Sequence, residues 1–477
     1  MAGKTVDLVP ESDLSKISSH ICPPPDDRSA MNELKLNTSF SDILRFAIPI
    51  SFSILIPQIN YIVNNIFLSR LGELELGTAG ITGVYYLVFA VIGFGFNSGL
   101  QSLLSRSAGS EKRSDIGRLI SQALRMILFT AVFGIAVTYL LAPFVLKSQV
   151  SSQEVLQSAI DFIRIRIFGL PFLYAYQVGN SFLISTNNTR FLVIGSVCEA
   201  ATNILLDYAF IFGHFGFPAM GFNGAAWASV CAEAIGMAVV HSFLWYRRLP
   251  QTFSLLAFRR WDWASAWRIV DRSAPLIFQV LISIISWLLF YLWIEHLGQR
   301  ALAISNTMRN VFGIFGVAIW ALASTSNNMV SNLIGQERLD EVIPLIKKIG
   351  TLSFLISLPF CLILNLFPGY FFQIYHSSTG FTHDAIPVIR VVSLAILIMS
   401  QGAIWLNAIS GTGLTRINLG IEILAVVVYV IYVFKVVQFE HYPLIWAWGS
   451  EFFYWGILFT FSWIFFNWYP WKLKYKK

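Results

Sequence analysis

Phe191-Leu-Val-Ile-Gly-Ser-Val-Cys198-Glu199-Ala-Ala-Thr-Asn203-Ile-Leu-Leu-Asp207-Tyr208-Ala-Phe-Ile-Phe-Gly213 decides the fold. At ~1.5 Å per residue this run is long enough to cross the ~30 Å hydrocarbon core of a bilayer. Glu199, Asn203 and Asp207 are spaced by four, so a helix stacks all three on one face, one turn apart. Carboxylates inside a membrane helix are costly and mark ion or substrate paths. The competing reading is a structural charge, paired with an arginine on a neighbouring helix or snorkelling to the interface.

The rest of the chain agrees with a membrane setting. Of 477 residues, 56% are hydrophobic and 12% charged, about half the charge of a soluble domain, and the mean hydropathy is +0.65. Apolar runs of membrane-spanning length recur almost end to end, which makes this an all-α polytopic membrane protein. The net charge of +7 is no nucleic-acid signal, because the Lys and Arg fall in short loops between apolar runs. Cys22, Cys198, Cys231 and Cys361 form no paired motif, so neither a disulfide framework nor a zinc site is expected. The sequence holds no HExxH and no GxxxxGK[ST] loop, hence no ATPase of its own.

Twelve spans are expected, at 44–69, 78–105, 119–146, 158–184, 191–213, 222–246, 273–297, 301–333, 345–375, 385–410, 417–437 and 443–468. They divide the chain into a polar amino-terminal tail (1–42), a six-helix lobe (43–246), a basic linker (247–272), a second six-helix lobe (273–469) and a basic tail (470–477). The linker carries Trp261, Trp263 and Trp267 and is expected to lie at the membrane interface. Met31 is a possible start, which would make the first 30 residues a dispensable extension; a disordered tail is the other reading. An even number of spans puts both termini on one side. Most of the 33 Lys and Arg fall on that side, so both termini are expected in the cytoplasm, in a bacterial inner membrane.

The two halves repeat. A shift of 226 residues aligns Pro49 with Pro275, Leu71-Gly72 with Leu297-Gly298, Gly109 with Gly335 and Glu111 with Glu337. The same shift aligns Arg164 with Arg390 and Thr189-Arg190 with Thr415-Arg416. Six spans separate equivalent points, so the lobes share one orientation and their pseudo-twofold axis runs along the membrane normal, as in parallel-repeat transporters.

Depth then groups the polar residues. Counting from the outer ends of their spans, Asn64, Asp207 and Ser229 reach one level at ~10 Å, Asn203 and Glu233 lie at ~16 Å, and Glu199 at ~22 Å. Acidic and amide oxygens with a hydroxyl suit a sodium ion or a proton; interhelical hydrogen bonding is the plainer role for Asn and Ser. Asn180, Gln58 and Arg309 are expected to line the substrate cavity. For Arg309, beside Asn306 and Asn310, a paired or interface-directed arginine is the other reading. No cofactor is expected beyond the coupling ion.

Ala47-Ile48-Pro49 through Asn64-Asn65-Ile66-Phe67-Leu68-Ser69-Arg70-Leu71-Gly72 resembles the first span of the multidrug and toxic compound extrusion (MATE) family. Asn203-Ile-Leu-Leu-Asp207-Tyr208 through Gly213, followed by Gly221-Phe-Asn-Gly224-Ala-Ala-Trp-Ala-Ser229, resembles its fifth and sixth spans, and Asn188-Thr189-Arg190 the end of its fourth. The resemblance covers roughly residues 40–470. It implies two lobes in a V that export organic cations in exchange for sodium ions or protons, acting as a monomer on small substrates. It also implies a cation site at Asn64, Asn203, Asp207 and Ser229. Two positions depart from the family's pattern: Asn64 replaces an Asp and Ser229 a Thr. Either Glu199 or Glu233 compensates for the lost charge, or the coupling is altered. The acid common on the seventh span is missing too, with Gln279 and Ser283 the nearest polar groups. The rival of similar architecture is a lipid-linked oligosaccharide flippase, which needs a cationic cavity; Arg309 and Arg125 are its candidates. A membrane-embedded enzyme would need Asp-rich or His-bearing loops for magnesium and diphosphate, which the sequence lacks.

Overall fold

The computed structural model describes residues 34–149, 152–254, 260–374, 379–440 and 442–475; the question of Met31 lies outside the described residues. Twelve long helices follow in order: Phe40–Ser69, Glu73–Gly109, Arg113–Gln149, Gln153–Ser185, Arg190–Phe212, Phe222–Tyr246, Trp263–Glu295, Gln299–Gly335, Val342–Leu366, Thr379–Thr412, Thr415–Val433 and Ser450–Trp468. They are called the first to twelfth spans below. Eleven are long and apolar enough to cross a membrane. The twelfth, 19 residues with six Phe and three Trp among them, has a lower mean hydropathy but still measures ~28 Å.

Differences from the expected boundaries have local causes. The seventh span begins ten residues earlier than expected, because Asp262 caps it by accepting from the backbone N–H groups of Ala264 and Ser265 at 3.1 and 3.4 Å, a standard N-cap. The ninth ends early. Phe367 leaves the helix (φ −130°, ψ 47°) because Pro368 disfavours helical geometry in the residue before it, and a short helix, Pro368–Ile374, follows. The fourth is interrupted by a tight turn at Ile167–Gly169, just ahead of Pro171, which has no N–H to continue the ladder.

The repeat seen in the sequence is a repeat of packing. Within the amino-terminal lobe the first span packs on the fifth, the fifth on the sixth, the second and third on the fourth, and the fourth on the sixth; advancing every number by six gives the pairs of the carboxy-terminal lobe. The lobes meet through the first, second, seventh and eighth spans.

The axis passes between the second and eighth spans. The Gln101 amide donates to the carbonyl and hydroxyl of Ser324 (3.4 and 3.2 Å). The Asn327 amide donates to the carbonyl and hydroxyl of Ser98 (3.2 and 3.3 Å). Asn327 is Gln101 shifted by 226, and Ser324 is Ser98 shifted by 226, so the two rungs are images of one another. Nearer the helix ends the backbones touch. A Cβ on Gly109 would collide with the Asn332 carbonyl oxygen, and one on Gly335 with that of Arg106, again an equivalent pair. Only glycine allows so close a crossing.

All the inter-lobe hydrogen bonds found among the described residues lie toward this end, the basic face where the described termini also lie. Ser331 donates to the Ser102 carbonyl and Ser273 to that of Phe96 (3.1 Å). Arg268 holds Asp115 at 3.0 and 3.2 Å. The segment before the first span adds to the seal, with Leu36 N–H donating to Asn332 at 3.1 Å and Gln336 to the Leu36 carbonyl at 3.1 Å. The outer halves of the spans carry no such hydrogen bond among the described residues, and the same faces of the second and eighth spans are exposed there at Gly80, Gly83, Asn306, Arg309 and Asn310, as in two lobes that part toward the opposite face around a cleft.

Replacing Gly109 or Gly335 by valine is expected to destabilise the closed end by about 1–3 kcal/mol, the usual cost of overpacking. Thermal unfolding of the detergent-purified protein would show it as a lowered Tm; two variants melting with the wild type would refute the crossing.

Candidate functional site

The first and fifth spans run parallel in a fixed register. Ser196 donates to the Ser53 carbonyl at 3.4 Å and Asn60 to the side-chain oxygen of Asn203 at 2.8 Å; each pair is 143 residues apart. The first bond has a reason in the sequence. Pro57 lacks the N–H that would bond the Ser53 carbonyl within its own helix, and Ser196 supplies a donor from the neighbour. One turn beyond Asn60 and Asn203 come Asn64 and Asp207, again 143 apart, so the register places them at one level. The Asn203 amide reaches the Ser229 hydroxyl at 3.5 Å. Asn64, Asn203, Asp207 and Ser229 are thus brought together. Asn60 joins them; its signal lies in the sequence, four residues before Asn64 and on the same face.

This cluster is rich in acceptors. Asp207 is 0% exposed, and neither carboxylate oxygen has a hydrogen-bond partner; the amide oxygens of Asn60 and Asn64 are likewise buried and unpartnered. Buried polar atoms are almost always satisfied, so four orphaned acceptors in one place require a donor or a cation.

The other two acids stand apart. Glu233 is closed by Arg166 of the fourth span in a two-pronged ion pair of 2.6 and 2.9 Å, with side chains 7% and 15% exposed. The Tyr86 hydroxyl donates to the same carboxylate at 3.3 Å, and its ring lies 3.9 Å from the guanidinium. Gly169, in the tight turn, makes room: a Cβ there would strike the Glu233 carboxylate. Glu199 contacts the Tyr176 hydroxyl, which also meets Ser196 at 3.1 Å and Asn180. Asn180 therefore belongs to a polar cluster inside the lobe. Of the three carboxylates in this interior, Asp207, Glu199 and Glu233, Arg166 forms its ion pair with Glu233. Sequence reasoning missed Arg166, although an arginine inside an expected span is itself a signal.

Breaking a buried ion pair from one side costs about 3–5 kcal/mol, whereas replacing both partners by apolar groups is often neutral. Glu233→Leu is therefore expected to lower the Tm sharply and Arg166→Met/Glu233→Leu to recover most of it. A single variant as stable as the wild type would show that the pair carries no structural load.

In the carboxy-terminal lobe, Gln279 and Ser283 of the seventh span find a partner in Glu422 of the eleventh. Its carboxyl accepts from Gln279 at 3.2 Å and meets Ser283 at 2.6 Å and Tyr454 at 2.5 Å. Gln279 and Glu422 are the twofold images of Ser53 and Ser196, so the same helix crossing holds a hydroxyl bond in one lobe and a buried acid in the other. Gln58 and Arg309 are exposed. Arg125 bonds the Arg260 carbonyl at 2.8 Å on the basic face, away from the cleft.

Comparisons with known proteins agree with this architecture. The MatE family model matches residues 49–209 and again 275–434, two stretches displaced by the same 226 residues. A probable multidrug resistance protein NorM from Thermotoga maritima is 21% identical over 78% of this chain and 80% of its own length. One from Synechocystis is 24% identical over 44% of this chain, and the alignment spans 46% of that relative. Among solved structures, a MOP superfamily transporter from Pyrococcus furiosus superposes with a TM-score of 0.84 at 17% identity, over 94% of this chain and 99% of that one. An outward-facing multidrug resistance MATE family transporter gives 0.83 at 17% identity, over the same 94% and 99%. With the family model covering both lobes, the chain belongs to the MatE family of transporters.

Proposed function

We propose that the chain is a secondary active antiporter that exports organic compounds in exchange for an ion bound at Asp207. The observation that carries this reading is the Asp207 carboxylate, fully buried with both oxygens unpartnered. Such a charge needs compensation by a proton or a cation. A proton on Asp207 would silence one oxygen, whereas a sodium ion takes several oxygen ligands at once. The four orphaned acceptors of Asp207, Asn60 and Asn64, with Asn203 and Ser229 beside them, therefore favour sodium. The proton is the second reading, favoured by the depth of burial of a lone carboxylate. Glu233 is left out of the ion set because Arg166 neutralises it, and Glu199 belongs with Tyr176.

The cycle follows from the architecture. An ion entering Asp207 from the open side draws the first and fifth spans together, and the lobes then exchange a closed basic end for a closed outer end. By the positive-inside rule the basic face is the cytoplasmic one, which places both termini in the cytoplasm and export in the direction of the open cleft. The setting is a bacterial inner membrane with a monomer as the working unit. One charge moving down 100 mV releases ~2.3 kcal/mol, enough for roughly 50-fold accumulation, so a single coupled ion suffices. The expectation of cationic cargo came from the family resemblance; Asp207 and Glu233 of the amino-terminal lobe are held in its interior, so cargo charge has to be argued from the cleft wall.

The test is dye efflux from energised inverted vesicles with and without sodium. Asp207→Asn should reduce ion-driven efflux to background, and sodium should stimulate the wild type at fixed pH gradient. Full ion-driven activity in Asp207→Asn would sink the assignment; sodium-independent, pH-driven efflux would select the proton.

A further inference from the structure

The eighth span has one face that meets the other lobe. Ser324 and Asn327 on that face bond Gln101 and Ser98 of the second span. Eighteen residues back along the same uninterrupted helix, about five turns, stand Asn306 and Arg309. They point in the directions of Ser324 and Asn327. Asn310 shares the face, and all three are exposed. Up here the lobes have parted, so the face that lower down seals the protein looks across the cleft. Arg309 lies ~15 Å below the outer end of the span. Its guanidinium has no carboxylate partner among the described residues, only the Tyr291 ring at 5.7 Å.

The fold does not impose this. The twofold images of Asn306, Arg309 and Asn310 are Gly80, Gly83 and Val84, and nothing lies within 4 Å of a Cβ built on either glycine. One wall of the cleft is bare and open, and the other offers a guanidinium flanked by two amides. Farther in, the polar face gives way to Gly313, Val317 and Trp320, whose indole is 46% exposed and packs edge-on against Trp455 at 6.1 Å.

We propose that the cargo is an amphipathic organic anion, its anionic group received by Arg309 with Asn306 and Asn310 and its apolar body lying toward Trp320. This rests on the reading of the cleft as the export path. A guanidinium with neighbouring amide donors suits a carboxylate or sulfonate, through charge-assisted hydrogen bonds. The same guanidinium repels a cation at the mouth of the cleft.

The experiment uses the full chain in proteoliposomes with an ion gradient and two aromatic probes, fluorescein as the anion and ethidium as the cation. The wild type should move fluorescein. Arg309→Gln should slow it at least about tenfold, as expected for the loss of a charge-assisted bond, while Arg309→Lys retains part of the rate. Ethidium transport, equal or faster in Arg309→Gln, shows that the variant is folded and coupled. Fluorescein moved equally well by Arg309→Gln overturns the proposal. So does a wild type that moves ethidium alone, which leaves the transport reading standing. A wild type that moves neither probe under any gradient removes the transport reading and this one with it.

Discussion

The close crossing of the second and eighth spans is the constraint on which the rest depends. Two glycines bring the backbones into contact, and the amides of Gln101 and Asn327 bind reciprocally about two turns away. Because the two rungs are related by the pseudo-twofold axis, each lobe contributes the same bonds to the interface. The interface combines apolar side chains of both lobes, among them Leu100, Leu104, Met329 and Leu333, with these polar rungs. A hydrogen bond exchanged for water changes stability by only ~0.5–1.5 kcal/mol, whereas separating an apolar seam costs about 25 cal/mol for every Å² exposed. The serine hydroxyls, amides and Asp115–Arg268 pair within the seal are therefore the part of it that water can replace at least cost.

Most of the fold is legible in the residues themselves. Apolar runs announce helices because an unpaired backbone cannot remain in lipid, and the 226-residue shift announces the axis. What escapes such reading is local. Pro368 and Asp262 move helix ends, since caps and pre-proline geometry act over one or two residues. In the site, Asn64 and Asp207 are visible as polar groups of matching depth, with Asn203 one turn deeper on the face of Asp207. The partner of Glu233 is not, because depth says nothing about rotation about the helix axis. Arg166 and Glu233 meet beside Gly169, where any Cβ would strike the carboxylate. Asn60 is missed for the opposite reason: its spacing is plain, but a lone asparagine in a span is ordinarily glue between helices.

The two lobes show how a duplicated frame takes on different chemistry. At the equivalent crossing of a parallel helix pair, one lobe has Ser53 and Ser196, and the other Gln279 and Glu422. On the cleft walls, Gly80 and Gly83 face Asn306 and Arg309. Backbone geometry is retained where the lobes touch, and side chains diverge where they part. The amino-terminal lobe carries the unsatisfied acid and the carboxy-terminal lobe the exposed cation, so on the proposed reading ion and cargo would occupy different walls and need not compete for one charge.

That separation requires a connection, and the first span is placed to supply it. Its basic half is buried, with Ile43, Phe46, Ala47 and Ile50 at most 3% exposed, and the span packs against the eighth. Its outer half leaves the core and carries Asn60 and Asn64 to the fifth span. Pro49 lies within the buried segment and Pro57 between it and the two asparagines, and each removes a backbone bond from the ladder. The bond lost at Pro57 has been handed to Ser196, on the helix that also bears Asp207. A cation drawing Asn64 toward Asp207 therefore pulls on a helix already weakened at the point where it leaves the seal. The ion site and the closed end are linked through one element with a built-in place to bend.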